Sequence, residues 1–401
     1  MERTLVRLHP GAERSAAETV MEIPVRMPQT PARAPREDPW GLYRQISPTS
    51  ELTMPASPSV SILIPAFRPT WINEAIQSAL AQTFTDFELI ISDDSADDEV
   101  EKLVGTWSDR RLQYFRNPTR GAPGSNRDFL ISRARGEYIK FLFDDDFLYP
   151  HSLELLLSMA SRTGCALAFH SRKVVDDNSN IIDQPRFEIR PDSRDRFNSL
   201  RFRLRGAFQR RIRAVIANYN PRNLYPVDSN FFFGTIIGRA VNLIGEPSNI
   251  LIHAPTLRNI DKPFSIDGRR MRYLTDMALY SNFMARGLGI VGTNNIGSAF
   301  RVHPKQSSRR AYPGYSAGIF EWELLGRWAV DAGEMSLDSF KSMRELLTTW
   351  YRSEAENFGE LNDFLALGTR TLAPPLLNEE FESVLLKAYD AIEKRSPNRR
   401  I

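Results

Sequence analysis

The chain has 401 residues, a formal net charge of +3, and 42% hydrophobic and 25% charged residues, which is an ordinary composition for a soluble globular protein. No run approaches the roughly 18 apolar residues of a membrane helix, and the N-terminus lacks the apolar core of a secretory signal. One cysteine, Cys165, and five histidines exclude an intrachain disulfide and a thiolate zinc cage. We therefore expect a cytoplasmic protein, with peripheral contact at the inner membrane face left open.

The first 57 residues differ in composition from the rest of the sequence. They are rich in Pro, Arg, Ser and Glu and show no sustained hydrophobic period. Such a segment has too little apolar surface to bury, so residues 1–57 are predicted to form a flexible arm. Regular structure is predicted to begin at Val60.

From Val60, short apolar runs alternate with helical patterns. An apolar, β-branched run predicts a strand at 60–65, and further strands are predicted at 87–92, 112–117 and 137–143. Patterns with a 3.6-residue period predict a helix over 72–80 capped by Thr70, others over 99–107 and 151–161, and one that opens in 120–128 and runs to about Arg135. Alternation of this kind predicts an α/β fold with a mostly parallel sheet and helices on both faces.

The remaining sequence is less regular. Apolar runs predict strands at 165–171 and at 231–238, the second bent at a glycine. A helix is predicted over 275–287, ending at its glycine. Two or three amphipathic helices are predicted over 316–395, with breaks at Gly359 and at an Ala-Pro-Pro segment.

Two of the predicted strands end in acidic residues. Asp93 and Asp94 follow one strand and Asp144–Asp146 follow another, and the carboxyl ends of parallel strands face a common crevice. Carboxylates bind Mg²⁺ or Mn²⁺, which usually bring phosphates into the site. A metal and phosphate site is one interpretation of the Asp triplet, and a solvated acidic turn is the other. No G-x-x-x-x-G-K-[ST] or G-x-G-x-x-G motif follows the first strand, which argues against P-loop hydrolysis and a standard dinucleotide site.

Two long stretches carry a resemblance to a known family. SVSILIPAFRPTWINEAIQSALAQTFTDFELIISDDSADDE (59–99) and GAPGSNRDFLISRARGEYIKFLFDDDFLYPHSLE (121–154) closely resemble the family-2 glycosyltransferases of the GT-A fold. Several motifs match in the right order, so the resemblance is specific. It extends over residues 59–305 with decreasing strength.

The resemblance implies a GT-A (Rossmann-like) domain over residues 58–305. Within it, 58–160 would be the nucleotide-binding half and 161–305 the acceptor-side half. The C-terminal helical region, 306–401, would follow as an extension that completes the core, supports the acceptor site or forms a homo-oligomer.

The resemblance also implies an inverting sugar transfer to a hydroxyl group, in polysaccharide or glycoconjugate biosynthesis. The donor would be a nucleoside diphosphate sugar (UDP-, GDP- or dTDP-sugar), and the cofactor a divalent metal, Mn²⁺ or Mg²⁺. The acceptor would be a saccharide, a lipid-linked molecule or a protein. Two alternatives stay open, a nucleotidyltransferase of sugar phosphates and a non-catalytic nucleotide-sugar-binding scaffold. The first normally has a Gly-rich loop after its first strand, and IPAFRPT has no glycine.

Donor-binding residues are implied at the ends of the first two strands and in the Gly-containing segment before the metal motif. They are Pro65, Ala66, Phe67, Arg68, Asp93, Asp94, Asn126 and Arg127. Of the two strand-end acids, Asp94 is the first choice for the nucleoside.

The Asp triplet corresponds to the family's D-x-D motif. Phe143 stands where the commonest form of the motif has an acid. By position, Asp145 is the first choice for the metal ligand, and Asp144 is the second, with contact to ribose or sugar.

Two later segments add candidates. Asp276, at the start of the predicted helix 275–287, would be the general base, although an Asp there also suits a structural helix cap.

The segment FRVHPKQSS (300–308) resembles the family's late R-x-H segment. His303 would approach the metal or the diphosphate, and Arg301 or Lys305 would bind phosphate oxygens. A structural or surface role for the lone histidine is the alternative. The loop would close over the bound donor and exclude water.

An Arg-rich stretch occupies residues 186–213 and contains ten arginines. A solvated helix face is the first interpretation, because Arg stems cover apolar surface. Attraction to an anionic membrane or a lipid pyrophosphate is the second. Nucleic acid binding is not expected, because the stretch has no recognised binding motif.

Overall fold

The computed structural model describes residues 57–122, 124–183, 224–304, 306, 313–354, 361–367 and 374–395. The predicted arm up to residue 56, the Arg-rich stretch and Lys305 lie outside these ranges. Among the described residues, no helix is long and apolar enough to cross a membrane.

The first half follows the predicted alternation of strands and helices. Its strands are β1 (Val60–Ala66), β2 (Phe87–Asp93), β3 (Leu112–Arg116), β4 (Tyr138–Phe141), β5 (Phe147–Leu148) and β6 (Leu167–Val175). Its helices are α1 (Ile72–Leu80), α2 (Glu99–Val104), α3 (Ser125–Arg133) and α4 (Ser152–Thr163). The predicted cap at Thr70 is wrong, because the residue before α1 is Trp71 and it makes no side-chain cap. The second helix is three residues shorter than predicted.

The remaining strands are mostly antiparallel and, except for the last one, short. They are β7 (Ile181–Asp183), β8 (Tyr225–Val227), β9 (Ile250–His253), β10 (Ser265–Ile266), β11 (Arg269–Arg270) and the long β12 (Ile290–Arg301). The main sheet has the order β3-β2-β1-β4-β9-β6-β12-β5. The strands β3, β2, β1 and β4 are mutually parallel, as are β6 and β12, whereas β9 runs antiparallel between β4 and β6. The predicted mostly parallel sheet is therefore confirmed, with β9 as an insertion that the sequence did not reveal.

The predicted strand at 231–238 is wrong, because this segment is helical. Ser229–Phe231 begins an α-turn that continues as a π-helix over Phe232–Ile237. The carboxylate of Asp228 accepts the backbone N–H of Phe231 at 2.8 Å, which caps the first turn. A short apolar run fits a buried helix as well as a buried strand, so its composition alone did not distinguish them.

The second half contains six further helices among the described residues. They are α5 (Ala254–Arg258), α6 (Thr275–Ala285), α7 (Pro313–Asp331), α8 (Leu337–Glu354), α9 (Leu361–Leu367) and α10 (Glu379–Arg395). The last four form the predicted C-terminal helical extension, with one helix more than expected. The additional break lies near Gly333, whose φ of +75° suits a glycine.

Two hydrophobic clusters cover the two faces of the sheet. One joins α1, α2 and α4 to the sheet, and the other joins α3, α6 and the C-terminal helices to the opposite face. Alternate residues of β1 point into different clusters, with Ile62 and Ile64 in the first and Leu63 in the second. This arrangement leaves the carboxyl ends of β1, β2 and β4 together at one edge, where the acidic residues lie.

Candidate active site

The Asp triplet forms the turn between β4 and β5, and the protein holds two of its three carboxylates. Oδ2 of Asp144 accepts the backbone N–H groups of Phe67 and Arg68 at 2.6 and 2.7 Å. Asp146 accepts the hydroxyl of Ser248 at 2.6 Å and the backbone N–H of Arg301 at 3.0 Å. These contacts tie the triplet to the end of β1 and to the end of β12.

The third carboxylate, that of Asp145, meets a histidine. Oδ2 of Asp145 lies 3.1 Å from Nε2 of His303, and the His303 ring packs 4.7 Å from the ring of Trp71. The side chain of His303 is buried, while that of Asp145 keeps 14% of its surface exposed. The histidine of the pair is therefore held in place by packing, whereas the carboxylate of Asp145 is accessible from solvent.

The crowding of these acids changes their proton affinity. Burial, followed by the charge of Asp145, raises the pKa of Asp144 to about 6, although the amides of Arg68 and Phe67 act in the opposite direction. Burial and Asp145 also raise the pKa of Asp146 above its usual range, against the hydrogen bond from Ser248. The negative charge of the triplet is thus only partly compensated by the protein.

The donor set of this turn fits a hard divalent cation. Adjacent ligands on Mg²⁺ or Mn²⁺, with bonds of about 2.1 Å, stand about 3 Å apart, and the Asp145 oxygen and His303 nitrogen are 3.1 Å apart. Within the described ranges no three His, Cys, Asp or Glu side chains form a complete ligand set.

The acids after β2 have unequal surroundings. Asp93 is fully buried and is bound by the guanidinium of Arg116, the hydroxyl of Tyr114 at 2.8 Å and the backbone N–H of Ser95 at 2.8 Å. Asp94 is partly exposed and accepts the Asn117 side-chain amide at 2.8 Å and the Gly121 backbone N–H at 3.1 Å. Asp94 therefore lies at the crevice, whereas Asp93 lies beneath it.

The segment after β1 lies beside both acidic groups. The carbonyl of Ala66 accepts the backbone N–H of Asp94 at 2.9 Å and the side-chain amide of Asn126 at 3.2 Å. Pro65 is the penultimate residue of β1 and is partly buried. Arg68 lies at the site because its backbone N–H donates a hydrogen bond to Asp144. The ring of Phe67 is 42% exposed, which is unusual for a large apolar side chain.

Arg127 lies in the first turn of α3, and part of its guanidinium group has no hydrogen-bond partner among the described residues. Its guanidinium carbon lies 3.5 Å from the centre of the Phe264 ring. Its Nε and Nη2 atoms are buried and have no hydrogen-bond partner among the described residues, and the same holds for Oδ1 of Asn126. Burial and then the charge of Arg270 lower the pKa of Arg127 to about 10, against the nearby carboxylates of Asp128 and Asp276.

Asp276 lies in the first turn of α6. Its Oδ2 accepts the side-chain amide of Asn242 at 2.7 Å, and its Oδ1 accepts the backbone N–H of Met277 at 2.8 Å. Burial raises its pKa to about 7; the charge of Glu246 adds to this rise, and the amide of Met277 and the charge of Arg127 oppose it. A carboxylate with this pKa is suited to accept a proton near neutrality.

The segment 242–249 links Asp276 to the Asp triplet. Its first residue, Asn242, binds Asp276, and Ser248 binds Asp146. Between them, Glu246 pairs with Arg172, and its charge raises the pKa of both acids. No sequence motif indicates this segment, because Asn, Glu and Ser in an irregular stretch have no distinctive spacing.

The structure places Arg301 outside the position expected for a phosphate ligand. Its side chain is fully buried, and its guanidinium donates to the carbonyls of Asp145 at 2.9 Å and Asp176 at 2.8 Å, to Ser179 and to the carboxylate of Glu74. All three nitrogens of its guanidinium group donate hydrogen bonds, so Arg301 stabilises the site from its buried side. Lys305, the other phosphate candidate, lies outside the described residues.

Comparison with known proteins places this region in a family. Residues 61–218 match the model described as "Glycosyl transferase family 2". This part of the chain is a family-2 glycosyltransferase domain. The glycosyltransferase domain explains why the strand-end acids, the Gly-containing segment and the Asp triplet occur in this order.

Relatives of the glycosyltransferase domain match over short stretches. An uncharacterized glycosyltransferase of Rickettsia felis is 32% identical over 126 residues, 31% of this chain and 21% of that protein. "GalNAc(5)-diNAcBac-PP-undecaprenol beta-1,3-glucosyltransferase" of Campylobacter jejuni is 34% identical over 108 residues, 26% of this chain and 35% of that protein. An Escherichia coli protein, "UDP-Glc:alpha-D-GlcNAc-diphosphoundecaprenol beta-1,3-glucosyltransferase WfgD", is 30% identical over 124 residues, 30% of this chain and 49% of that protein. The matched stretches thus span half or less of these three proteins.

Among solved structures, S. aureus TarS 1-349 in complex with UDP-GlcNAc aligns with a TM-score of 0.48 at 15% identity, covering 85% of this chain and 82% of that one.

Proposed function

We propose that the protein is an inverting glycosyltransferase that moves a sugar from a nucleoside diphosphate sugar to a hydroxyl group. The observation that carries this proposal is the pair of Asp145 and His303, 3.1 Å apart at the end of β4, beside two further carboxylates. A turn with this much uncompensated negative charge fits a cation and the diphosphate of a donor. Asp276, with a pKa of about 7, supplies a separate base.

The nucleoside binds along the edges of β1 and β2. Asp94 takes the nucleoside hydroxyls or base edge, because it is the strand-end acid that lies at the crevice. The exposed ring of Phe67 offers a flat apolar face for the base, with Pro65, Ala66 and Arg68 shaping the adjoining wall. Asp93 supports this wall from beneath through Arg116 and Tyr114.

The diphosphate lies between the Asp triplet and α3. Buried donors without partners cost free energy, so the unpaired Nε and Nη2 of Arg127 favour an anionic ligand. Asn126 stands beside it on the same turn. Lys305 stays a candidate phosphate ligand on the basis of its sequence position.

Asp145 and His303 would hold the divalent metal, Mn²⁺ or Mg²⁺, with Asp144 close by to orient the sugar or ribose. When bound, such a cation offsets the negative charge that develops on the departing diphosphate. The protein's own contribution is to fix the two ligand atoms, because Trp71 packs on the imidazole and Arg301 holds the carbonyl of Asp145.

Asp276 acts as the general base. The acceptor oxygen attacks the anomeric carbon, the bond from that carbon to the diphosphate oxygen breaks, and the hydroxyl proton passes to the Asp276 carboxylate. The products are the glycosylated acceptor and the nucleoside diphosphate. One displacement from the opposite face inverts the anomeric configuration.

For the acceptor we propose a saccharide carried on a lipid diphosphate. The names of two relatives describe glucosyl transfer to undecaprenol-diphosphate-linked sugars. A lipid-linked acceptor implies that the protein works at the inner face of a membrane. An acceptor assay distinguishes it from the two other candidates, a soluble saccharide and a protein.

The test is a panel of UDP-, GDP- and dTDP-sugars with Mn²⁺ or Mg²⁺, with the released nucleotide identified. Release of a nucleoside diphosphate supports sugar transfer. Release of pyrophosphate from a nucleoside triphosphate and a sugar phosphate would indicate the nucleotidyltransferase alternative. Nucleotide-sugar binding without any turnover over the acceptor panel would indicate a scaffold.

A further inference from the structure

The loop before the helix that carries Asp276 has its own amides to satisfy. The residue before α6 is Leu274, whose side chain makes no capping hydrogen bond, while Asp276 itself accepts the N–H of Met277. Buried amides at and before a helix start need acceptors, and leaving them without acceptors is costly. For Leu274 and the two residues before it, the acceptor comes from a distant part of the chain.

Glu321, in the C-terminal helix α7, binds three consecutive amides of the loop before α6. Its Oε1 accepts the backbone N–H of Arg272 at 2.7 Å, and its Oε2 accepts those of Tyr273 at 3.0 Å and Leu274 at 2.7 Å. The hydroxyl of Tyr389, in α10, donates to Oε1 at 2.7 Å. Glu321 itself is fully buried.

These four partners favour an ionised Glu321. Each carboxylate oxygen receives two of them, and three of the four are backbone N–H groups, which can only donate. Burial raises the pKa of Glu321, and the four hydrogen bonds act against that rise. A negative charge at the start of α6 also interacts favourably with the helix dipole.

We propose that Glu321 is a positioning residue for the catalytic base, fixing the loop 272–274 and thereby the direction and burial of Asp276 two residues later. The inference rests on the proposed function, because it assigns a role in that reaction to the C-terminal helices. These helices lie outside the segment that matches the family model, which ends at residue 218. They would complete the active site without contacting a substrate.

A second buried glutamate on the same helix offers a matched control. Glu323 is also fully buried, but it binds Arg327 at 2.7 and 3.0 Å, Arg344 at 2.7 Å and the hydroxyl of Tyr351 at 3.1 Å. These partners lie in α7 and α8, so Glu323 holds the helices to one another and does not touch the loop. Substituting either glutamate removes one buried charge from α7.

The experiment compares Glu321→Gln, Tyr389→Phe and Glu323→Gln in the full chain. For Glu321→Gln we expect kcat to fall about 10- to 100-fold, since a displaced base loses the geometry of attack, while KM for the donor is unchanged. Hydration of the loosened loop would also move the acid limb of the kcat profile to lower pH. Glu246, Arg127 and Asn242 still surround Asp276 in all three variants, so their effects cancel in the comparison.

Tyr389→Phe removes one of the four hydrogen bonds and should give a smaller change in the same direction. Glu323→Gln should lower the melting temperature and leave both kcat at a permissive temperature and its pH profile unchanged. If Glu321→Gln does not fold, the Tyr389→Phe variant carries the test by itself.

Amide hydrogen exchange provides a readout that does not depend on turnover. Exchange at residues 272–274 should be faster in Glu321→Gln and unchanged in Glu323→Gln. If the wild-type protein transfers no sugar, the proposed function fails, while the exchange data still test the loop contact. If the wild-type protein is active and Glu321→Gln matches Glu323→Gln in kcat and pH profile, the positioning role is overturned and the proposed function stands.

Discussion

The carboxylates at the sheet edge and those in the C-terminal helices are both buried, but they are compensated in different ways. Around Asp144 and Asp276, acids lie near acids, and burial raises their pKa values to about 6 and about 7. In the helices, Glu321 has four donors and Glu323 has two guanidinium groups and a phenol. Glu321 and Glu323 thus have donors as their neighbours, whereas Asp144 and Asp276 also have other carboxylates nearby.

The largest expected effect is the loss of turnover in Asp145→Asn. An amide is a poorer ligand for a hard cation than a carboxylate, so we expect kcat/KM to fall at least about 100-fold, measured by released nucleoside diphosphate. Asp109→Asn is a matched control, because Asp109 is an acid before β3 that pairs with Arg111 away from the site. If Asp145→Asn retains wild-type activity and the same metal requirement, Asp145 is not a metal ligand.

Asp276→Asn should lower kcat about 10²- to 10⁴-fold, the usual contribution of a positioned general base. In the wild-type protein the rate should rise with pH through about 7, because the carboxylate must be deprotonated to accept the hydroxyl proton. Donor binding, measured by calorimetry with the nucleoside diphosphate, should remain near the wild-type value. Full activity in this variant would exclude Asp276 as the base.

The raised pKa of Asp276 also predicts how the free energy of unfolding changes with pH. Since the pKa of Asp276 is raised in the folded protein, the folded state binds this proton more tightly than the unfolded chain does. The group therefore lowers the free energy of unfolding as pH rises from 3.8 to about 7. Its contribution is on the order of a few kcal/mol. In Asp276→Asn this part of the pH dependence should be lost, while the part due to Asp144 remains. Denaturant unfolding of both proteins at pH 5 and pH 8 measures the difference. A variant with the wild-type pH dependence would show that burial does not shift this group.

The sequence predicted the first half of the fold well because local and long-range signals agree there. In β1, β2 and β4, β-branched apolar runs end in acids or a proline, and regular helices lie between them. The segment 231–238 was misassigned because FFFGTIIG has a single polar residue, Thr235, which is too few to reveal a period. The antiparallel β9 was missed because ILIH is only four residues long.

The candidate site was predictable only where its residues belong to a motif. Asp145, His303 and Asp276 were predicted in this way, and the structure brings the first two within 3.1 Å of each other. Glu321 and Asn242 were not found, since each acts through a contact with a loop distant in sequence. Arg301 stood in the expected motif but turned inward, because Glu74, Asp176 and Ser179 supply partners that no local pattern indicates.

Arg301 and Arg127 test the smallest of the expected effects, because they are two cations with opposite surroundings. Arg301 is fully buried and hydrogen-bonded, whereas Arg127 is partly exposed and its buried Nε and Nη2 atoms have no partner among the described residues. Arg301→Met removes donors from two backbone carbonyls and from Glu74, and should lower the free energy of unfolding by about 2 to 4 kcal/mol. The lower end is expected, because the Glu74 side chain is 35% exposed and water replaces part of the lost contact. Where the variant is folded, its affinity for a nucleoside diphosphate without added metal should match the wild type, because Arg301 reaches the site only through the carbonyl of Asp145.

Arg127→Met should behave in the opposite way. The side chain gives up no hydrogen bond from Nε or Nη2, so the free energy of unfolding should change by less than about 1 kcal/mol, while nucleoside diphosphate affinity falls at least about tenfold. Thermal unfolding and calorimetry on the two variants measure both quantities. If Arg301→Met loses nucleotide affinity and Arg127→Met does not, the phosphates lie on the side of β12. Arg301 is then the phosphate ligand, and Arg127 has the structural role.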